Sequence, residues 1–164
     1  MAQGRQAVRL SDEEVTAFLA DSMKVQVATV GADGAPHLTT LFYVLDEGRI
    51  AFWTYGASQK VANLRRDPRI SCLVEDGEDY FELRGVSIQG TATLVEEYDE
   101  VKALGARVSA RMAGDTPLDE DGRRFLDDIV SGQARKRVGV IVEPVRVTSW
   151  DHRKLGALPG QSDR

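Results

Sequence analysis

The chain has 164 residues, of which 42% are hydrophobic and 29% are charged, a length and composition typical of one globular domain with a substantial core. Its net charge of -5 argues against nucleic-acid binding, because no basic excess is present to neutralise phosphates. The N-terminus lacks the apolar core of a signal peptide, and no apolar run approaches the roughly 20 residues that cross a bilayer, so we expect no membrane segment. The single cysteine, Cys72, offers neither a disulfide framework nor a metal cluster and suits a cytoplasmic protein.

The first third of the chain predicts one helix and a β-meander. Ser11 and Glu14 form a capping box, and apolar residues follow at helical spacing, so a helix is expected to begin there and to end near Asp21. The pattern then alternates with period two and is interrupted by turns that contain Gly34 and Gly48. It predicts strands over residues 25–30, 37–45 and 49–54.

The rest of the chain mixes helices and strands. Ser58 is a good N-cap for a short helix over residues 59–66, which Asp67 and Pro68 end because a residue before proline avoids helical backbone. Further strands are predicted over 69–75, 81–96 and 137–150, and further helices over 98–112 and 118–130. Pro144, inside the last strand, predicts an edge or a bulge at that point.

Six strands joined mostly by hairpins, with peripheral helices, predict a mainly β fold, a small antiparallel barrel. We expect the domain to occupy residues 11–153, flanked by a flexible leader (1–10) and a flexible tail (154–164). A small barrel is filled by its own side chains, so a sizeable ligand has to bind outside it. A dimer interface is a natural place for such a site.

One segment has the composition of a phosphate site. The strand that ends at Thr54 turns through Gly56 and enters a helix whose first turn holds Ser58 and Lys60. Free amides at a helix N-terminus, a hydroxyl and an ammonium group favour a bound phosphate. The alternative is that Ser58 only caps the helix and Lys60 is only a solvated side chain. The sequence carries no metal-ligand or nucleophile motif, so any enzymatic chemistry would depend on a cofactor.

Residues 51–69 resemble the pyridoxamine 5'-phosphate oxidase-like family: an aromatic strand that ends in Thr, then Ser-x-Lys, then a short helix that closes in Asp-Pro-Arg. The similarity extends to residues 34–42 and to Trp150, which follows a Pro-Val-Arg-Val strand. The resemblance implies a split β-barrel homodimer that binds FMN or the deazaflavin coenzyme F420 in grooves between subunits.

The resemblance also implies which residues contact the cofactor. Two strand segments are expected to contact the cofactor, Thr39, Thr40, Leu41 and Phe42 in the first and Trp53 and Thr54 in the second. The phosphate is expected at Ser58, Gln59 and Lys60, and Trp150 is expected beside the ring. Asn63, one helical turn beyond Lys60, is expected to face the same ligand.

Two departures from the family pattern bear on the cofactor. The FMN-binding oxidases carry phosphate-holding arginines where this chain has Thr39 and Gln59, and a glutamine near the ring where it has Gly85. The terminal phosphate of FMN carries close to two negative charges, whereas the phosphodiester of F420 carries one. Charge-assisted bonds contribute about 1.5–3 kcal/mol each, so the loss of two arginines favours F420 over FMN. The acidic tail of F420 is then expected to meet the arginines between positions 65 and 69.

These observations predict an oxidoreductase that uses F420, or FMN, for hydride transfer to a small conjugated acceptor. Vitamin B6 oxidation is not expected, because the C-terminal substrate motif for pyridoxamine is absent. No side chain is assigned as a catalyst, although His152 could donate a proton. Two alternatives stay open: a cofactor-binding protein without turnover, and a heme-binding or heme-degrading relative ligated by His37, His152 or a tyrosine. Trp53 and Trp150 could also be plain barrel-wall packing.

Overall fold

The structure, a computed structural model, describes residues 6–114, 117 and 119–156. Its helices are α1 (Asp12–Asp21), α2 (Gln59–Arg66), α3 (Tyr98–Ala113) and α4 (Glu120–Ala134). Its strands are β1 (Lys24–Val30), β2 (Pro36–Phe42), β3 (Val44–Asp46), β4 (Arg49–Tyr55), β5 (Arg69–Asp76), β6 (Arg84–Val95) and β7 (Arg137–Asp151), and a short 3-10 helix, His152–Leu155, follows. The mainly β fold is confirmed. Parts of the expected leader (1–5) and tail (157–164), and the expected first residue of α4, 118, lie outside the described residues.

The strands form one antiparallel sheet in the order β2–β1–β5–β6–β7–β4–β3, curled into a half-barrel around the core. Burial along β1 and β5 alternates with period two, which places Val25 and Val27, and likewise Ile70 and Cys72, on the concave face. Burial raises the pKa of the Cys72 thiol to about 12, so this cysteine is a core residue. Within the described residues, the structure contains no helix with the length and hydrophobicity needed to cross a membrane.

The prediction of six strands is wrong by one, because the strand expected over 37–45 is divided at Tyr43. The Tyr43 side chain is fully buried, and its hydroxyl donates to the Leu19 carbonyl at 2.7 Å. Val44 is buried on the opposite face of the sheet, in a separate cluster with Ala51, Leu104 and Val108. The side-chain alternation therefore continues through Tyr43, and what ends there is the strand pairing of β2. The chain consequently leaves β2 at one edge of the sheet and enters β3 at the other.

The longest pairing in the sheet joins β6 to β7. It runs from Arg84 opposite Asp151 to Val95 opposite Gly139, with a register shift at Gln89 and Gly90. Gly90 pairs with Pro144, so the bulge or edge expected at this proline is confirmed as a bulge. β6 begins at Arg84 rather than at position 81; the preceding Tyr80 and Phe81 stand in a loop with more than half of their surface exposed, at 62% and 61%.

Helix α3 crosses the convex face of β4 and approaches it closely at one glycine. A Cβ atom added at Gly105 would lie 2.4 Å from the Trp53 ring, a distance that real Cβ contacts essentially never show. Trp53 therefore packs under α3, and Gly105 is the residue that gives its ring room.

We expect Gly105→Ala to lower the free energy of unfolding by about 1–3 kcal/mol, because the new methyl group forces the Trp53 ring or the helix to move. Gly132→Ala in α4 is the matched control. A Cβ atom at Gly132 meets nothing within 4 Å, so alanine there should stabilise by up to about 1 kcal/mol through helix propensity. Urea unfolding gives the change in the free energy of unfolding for each variant. Equal changes in the two variants would contradict the close approach of α3 to Trp53.

Candidate functional site

The N-terminus of α2 is held by a turn that leaves several donors unused. The Gly56 amide donates to the Lys136 carbonyl at 2.9 Å and fixes the turn against β7. Ser58 occupies the N-cap position, and its carbonyl accepts from the Val61 amide at 3.1 Å, but its side chain makes no capping hydrogen bond. The Ser58 Oγ is buried without a partner. Among the described residues, no acceptor is present for the first two amides of α2.

Lys60 is buried rather than solvated, with 9% of its surface exposed. Its Nζ donates to the Thr54 Oγ1 at 3.2 Å, which joins two of the residues expected at the site. Burial, and secondarily the positive charge of Arg137, lowers the pKa of Lys60. No carboxylate in the described part of the chain offsets that cost. An ammonium group held this way is poised to be stabilised by an anion.

Arg137 is a second cation at this end of the sheet, and it is not among the residues predicted for the site. Its guanidinium carbon lies 4.5 Å from the Trp53 ring centroid and 4.3 Å from that of Tyr55. The pairing of β4 with β7 sets Arg137 directly opposite Tyr55. This pairing joins segments about eighty residues apart, so no local sequence signal could have revealed it.

The four residues expected along β2 divide between its two faces. Thr39 and Leu41 lie opposite the core residues Val27 and Val25 and point to the concave side, whereas Thr40 and Phe42 point to the convex side. The Thr39 Oγ1 is buried without a hydrogen-bond partner. One ligand lying against this edge strand can therefore contact only one pair of these side chains.

Asn63, expected to face the ligand, has a structural role within the chain. It is fully buried, and its Nδ2 donates to the Thr29 Oγ1 at 3.0 Å, which ties α2 to β1. Its Oδ1 accepts from the Gln59 Nε2 at 2.9 Å and so holds the glutamine in place. A cavity of about 370 Å³ opens beside these two side chains and is otherwise lined by His37 and the β1–β2 turn. The His37 Nδ1 is also buried without a partner.

Trp150 lies far from the other site residues within one chain. Val138 pairs with Thr54 at the start of β7, and Trp150 follows twelve residues later, on the order of 40 Å along an extended strand. The indole packs on Gly85: a Cβ atom there would lie 2.4 Å from the ring. The glycine that departs from the family pattern is thus the residue that gives Trp150 its position.

The arginines expected to meet an acidic tail are mostly engaged. Arg65 pairs with Glu96 at 2.6 Å, and Arg69 pairs with Asp67 at 2.6 Å. The hydrogen bond from Arg69 lowers the pKa of Asp67 to about 2. Arg66 donates to a backbone carbonyl and has no carboxylate partner among the described residues, so it is the freest of the three.

The arrangement fits an anionic group at the start of α2. A buried hydroxyl without a partner, free amides and a buried ammonium are donors that a phosphate oxygen satisfies. No cluster of three or more metal-ligating side chains occurs in the described ranges.

Lys60→Met should make the cofactor-free protein more stable at neutral pH, because it removes a buried ammonium and its repulsion from Arg137. The pKa of Lys60 in the folded protein lies below its ordinary value of 10.5, which applies to the unfolded chain. Between these two pKa values the unfolded chain therefore binds more protons than the folded chain. The stability of the parent should therefore rise relative to that of the variant as the pH increases through this window. Urea unfolding across the window measures the difference.

The exposed neighbour Lys136 provides the control, since Lys136→Met should produce no such pH-dependent difference. A Lys60→Met protein that is less stable than the parent at neutral pH would contradict the cost assigned to the buried ammonium.

Known structures share this fold. A conserved hypothetical protein from Mycobacterium tuberculosis superposes with a TM-score of 0.81 at 41% identity, covering 98% of this chain and 96% of that one. An F420 reductase superposes with a TM-score of 0.62 at 21% identity (80% and 94% covered). A heme storage protein from Vibrio cholerae does so with a TM-score of 0.61 at 19% identity (85% and 96% covered). At these lower identities the likeness shows the fold alone.

The sequence comparisons agree on the family. The sequence model described as pyridoxamine 5'-phosphate oxidase matches residues 11–151. A pyridoxine/pyridoxamine 5'-phosphate oxidase from Cupriavidus pinatubonensis is 30% identical over 154 residues, which cover 90% of this chain and 69% of that protein. The resemblance found in the sequence is confirmed, and the chain belongs to the pyridoxamine 5'-phosphate oxidase family.

Proposed function

We propose that this protein is an oxidoreductase that binds coenzyme F420, with FMN as the alternative, for hydride transfer to a small conjugated acceptor. The observation that carries the proposal is the buried ammonium of Lys60, which has no carboxylate partner among the described residues, together with the unpartnered Ser58 hydroxyl at the start of α2. When bound, the isoalloxazine-type ring supplies two-electron redox chemistry, which this chain's own side chains lack.

The residues of the chain have binding and orienting roles in this proposal. Ser58, Lys60 and the first amides of α2 hold the phosphate, and Thr54 orients the Lys60 ammonium through their hydrogen bond. Asn63 keeps α2 in place on β1. Trp150 provides a flat surface for a ring at the far end of β7.

The charge at the phosphate end supports F420 over FMN. Thr39 and Gln59 are neutral, and Gln59 is occupied with Asn63. The remaining cations are Lys60, whose burial disfavours its charged form, and Arg137, which rests on two aromatic rings. One ammonium matches a phosphodiester with one negative charge better than a terminal phosphate that carries nearly two.

The separation between Lys60 and Trp150 supports a homodimer. If the phosphate of a ligand lies at α2 of one chain and its ring lies on Trp150, then this Trp150 has to come from a second chain. The convex face of the sheet also exposes apolar side chains, with Leu38 66% and Val145 78% exposed, as expected for a surface that a second copy covers.

His152 is the proposed proton source beside the ring. Its Nδ1 lies 2.8 Å from the Tyr80 carbonyl oxygen, which only accepts, so Nδ1 carries a hydrogen. Nε2 faces the ligand and carries a proton to transfer when the imidazole is in its protonated form. His152 lines the same cavity as Trp150. The proposed partners are therefore a second copy of the chain and a small molecule.

Isothermal titration should show tighter binding of F420 than of FMN. Lys60→Ala should lower the affinity for F420 about 10- to 150-fold, because one charge-assisted contact is lost. Arg137→Gln should lower it about tenfold through the loss of the second charge. Arg135→Gln is the matched control: Arg135 also rests on an aromatic ring, that of Tyr98, but does not act on Lys60, so its loss should leave the affinity unchanged.

Three outcomes would contradict this assignment. One is a protein that is isolated with stoichiometric FMN. Another is a Lys60→Ala variant that binds both cofactors as tightly as the parent does, which would show that the phosphate does not bind at the start of α2. The third is stoichiometric binding of hemin that Lys60→Ala does not alter, which would favour the heme alternative.

Mixed dimers test whether two chains share each site. Lys60→Ala and Trp150→Ala homodimers should both bind F420 weakly, whereas a heterodimer that combines the two variants contains one intact site and should recover one parent-like binding event. A heterodimer of Lys60→Ala with Ser58→Ala carries both lesions at the phosphate end and should recover none. Recovery in neither heterodimer, or a monomer by light scattering with cofactor bound, would place the whole site within one chain.

A further inference from the structure

A second cavity, of about 580 Å³, lies at the far end of β7, away from α2. Its lining comes from the N-terminal segment and the end of the strand: Gln6, Val8, Arg9, Arg146, Val147, Thr148, Ser149, Trp150 and His152. The volume is that of a small-molecule site. No carboxylate is among these lining residues, although the chain as a whole carries a net charge of -5.

The strand places charge and aromatic surface on the same side of the cavity. Arg146, Thr148 and Trp150 are two residues apart, so their side chains project from one face of β7. The Trp150 ring contacts Gly85 of β6, where any larger residue would collide with it. The Trp150 ring therefore has a fixed position at one end of this row of three side chains, and the Arg146 guanidinium lies at the other end.

The N-terminal segment brings a second arginine to this row. The Asp151 amide donates to the Val8 carbonyl at 2.7 Å, and the Leu10 amide donates to the Ser149 Oγ at 3.2 Å. Leu10 is itself buried, and the Lys154 Nζ donates to the Arg9 carbonyl at 3.0 Å. These bonds hold Arg9 against the end of β7. The part of the expected leader that the structure describes is thus docked on the sheet.

Neither Arg9 nor Arg146 has a carboxylate partner among the described residues, whereas other arginines nearby do. Asp151, next to the cavity, is held by Arg153 at 2.6 Å. Arg84 is paired with Asp76 at 2.7 Å. Two guanidinium groups without a carboxylate partner, beside a tryptophan, form a site for a planar anion, because the guanidinium fork matches a carboxylate and an indole edge makes edge-to-face contact with a conjugated system.

We propose that this cavity binds a conjugated carboxylate, with the carboxylate on Arg9 and Arg146 and the conjugated part along the edge of the Trp150 indole, whose free face is left to the cofactor ring. The inference rests on the proposed function in that it names the chemical class of the acceptor. His152, with its Nε2 free, lies at the same wall and can donate a hydrogen bond to the bound molecule when it is protonated.

Calorimetric titration at low ionic strength tests the inference with two probes of nearly identical shape, trans-cinnamate and neutral cinnamamide. Cinnamate should bind about tenfold more tightly than the amide. Arg146→Gln and Arg9→Gln should each lower this preference to about threefold and leave cinnamamide binding unaffected. Arg135→Gln, at the opposite end of β7, removes the same charge and should change neither affinity. Equal binding of the two probes, or an unchanged preference in both arginine variants, would overturn the inference.

The same preparation titrated with F420 and FMN separates this inference from the proposed function. Charge-dependent cinnamate binding in a protein that binds neither cofactor would support the cavity assignment and remove the oxidoreductase proposal. Cofactor binding without any preference for cinnamate over the amide would remove the cavity assignment and leave the oxidoreductase proposal in place.

Discussion

The long antiparallel pairing of β6 with β7 is the constraint on which the rest of the structure depends. β7 pairs with β4 over its first residues, from Arg137 to Ile141, and with β6 from Gly139 to Asp151, so one strand links both halves of the sheet. This continuity fixes Arg137 beside the aromatic residues that precede α2. It also fixes Trp150 at the opposite end of the strand. The distance between the two candidate sites is therefore a property of the fold.

The start of α2 contains two features that lower the stability of the protein and that a bound anion would compensate. Burying an ammonium without a carboxylate costs free energy, and leaving a serine hydroxyl unpaired in the same place adds to the cost. A core optimised for stability alone would have neither feature. Both costs decrease when an anion occupies the site, so they indicate a ligand-binding role more clearly than the presence of Ser58 and Lys60 in the sequence does.

Most elements of the fold could be predicted from the sequence because their signals are local. The capping box at Ser11, the turns at Gly34 and Gly48 and the break at Asp67 mark boundaries within a few residues of those observed. The division of the strand at Tyr43 could not be predicted, since it depends on the Leu19 carbonyl, a partner from α1. At the candidate site, local sequence marked the start of α2. The burial of Lys60, the stacking of Arg137 and the contact between Gly85 and Trp150 arise from strand pairing or helix packing, and no local pattern encodes them.

Gly85 shows why a residue lost from a family pattern should be considered together with its neighbour across the strand. Taken alone, the glycine removes a side chain from the neighbourhood of the ring. In the structure it lies opposite Trp150 in register, and its missing Cβ is the space that the indole occupies. The indole in turn shares one face of β7 with Thr148 and Arg146. Selectivity for the acceptor is therefore expected at the Trp150 end of the strand, and recognition of the phosphate that both candidate cofactors contain is expected at the α2 end.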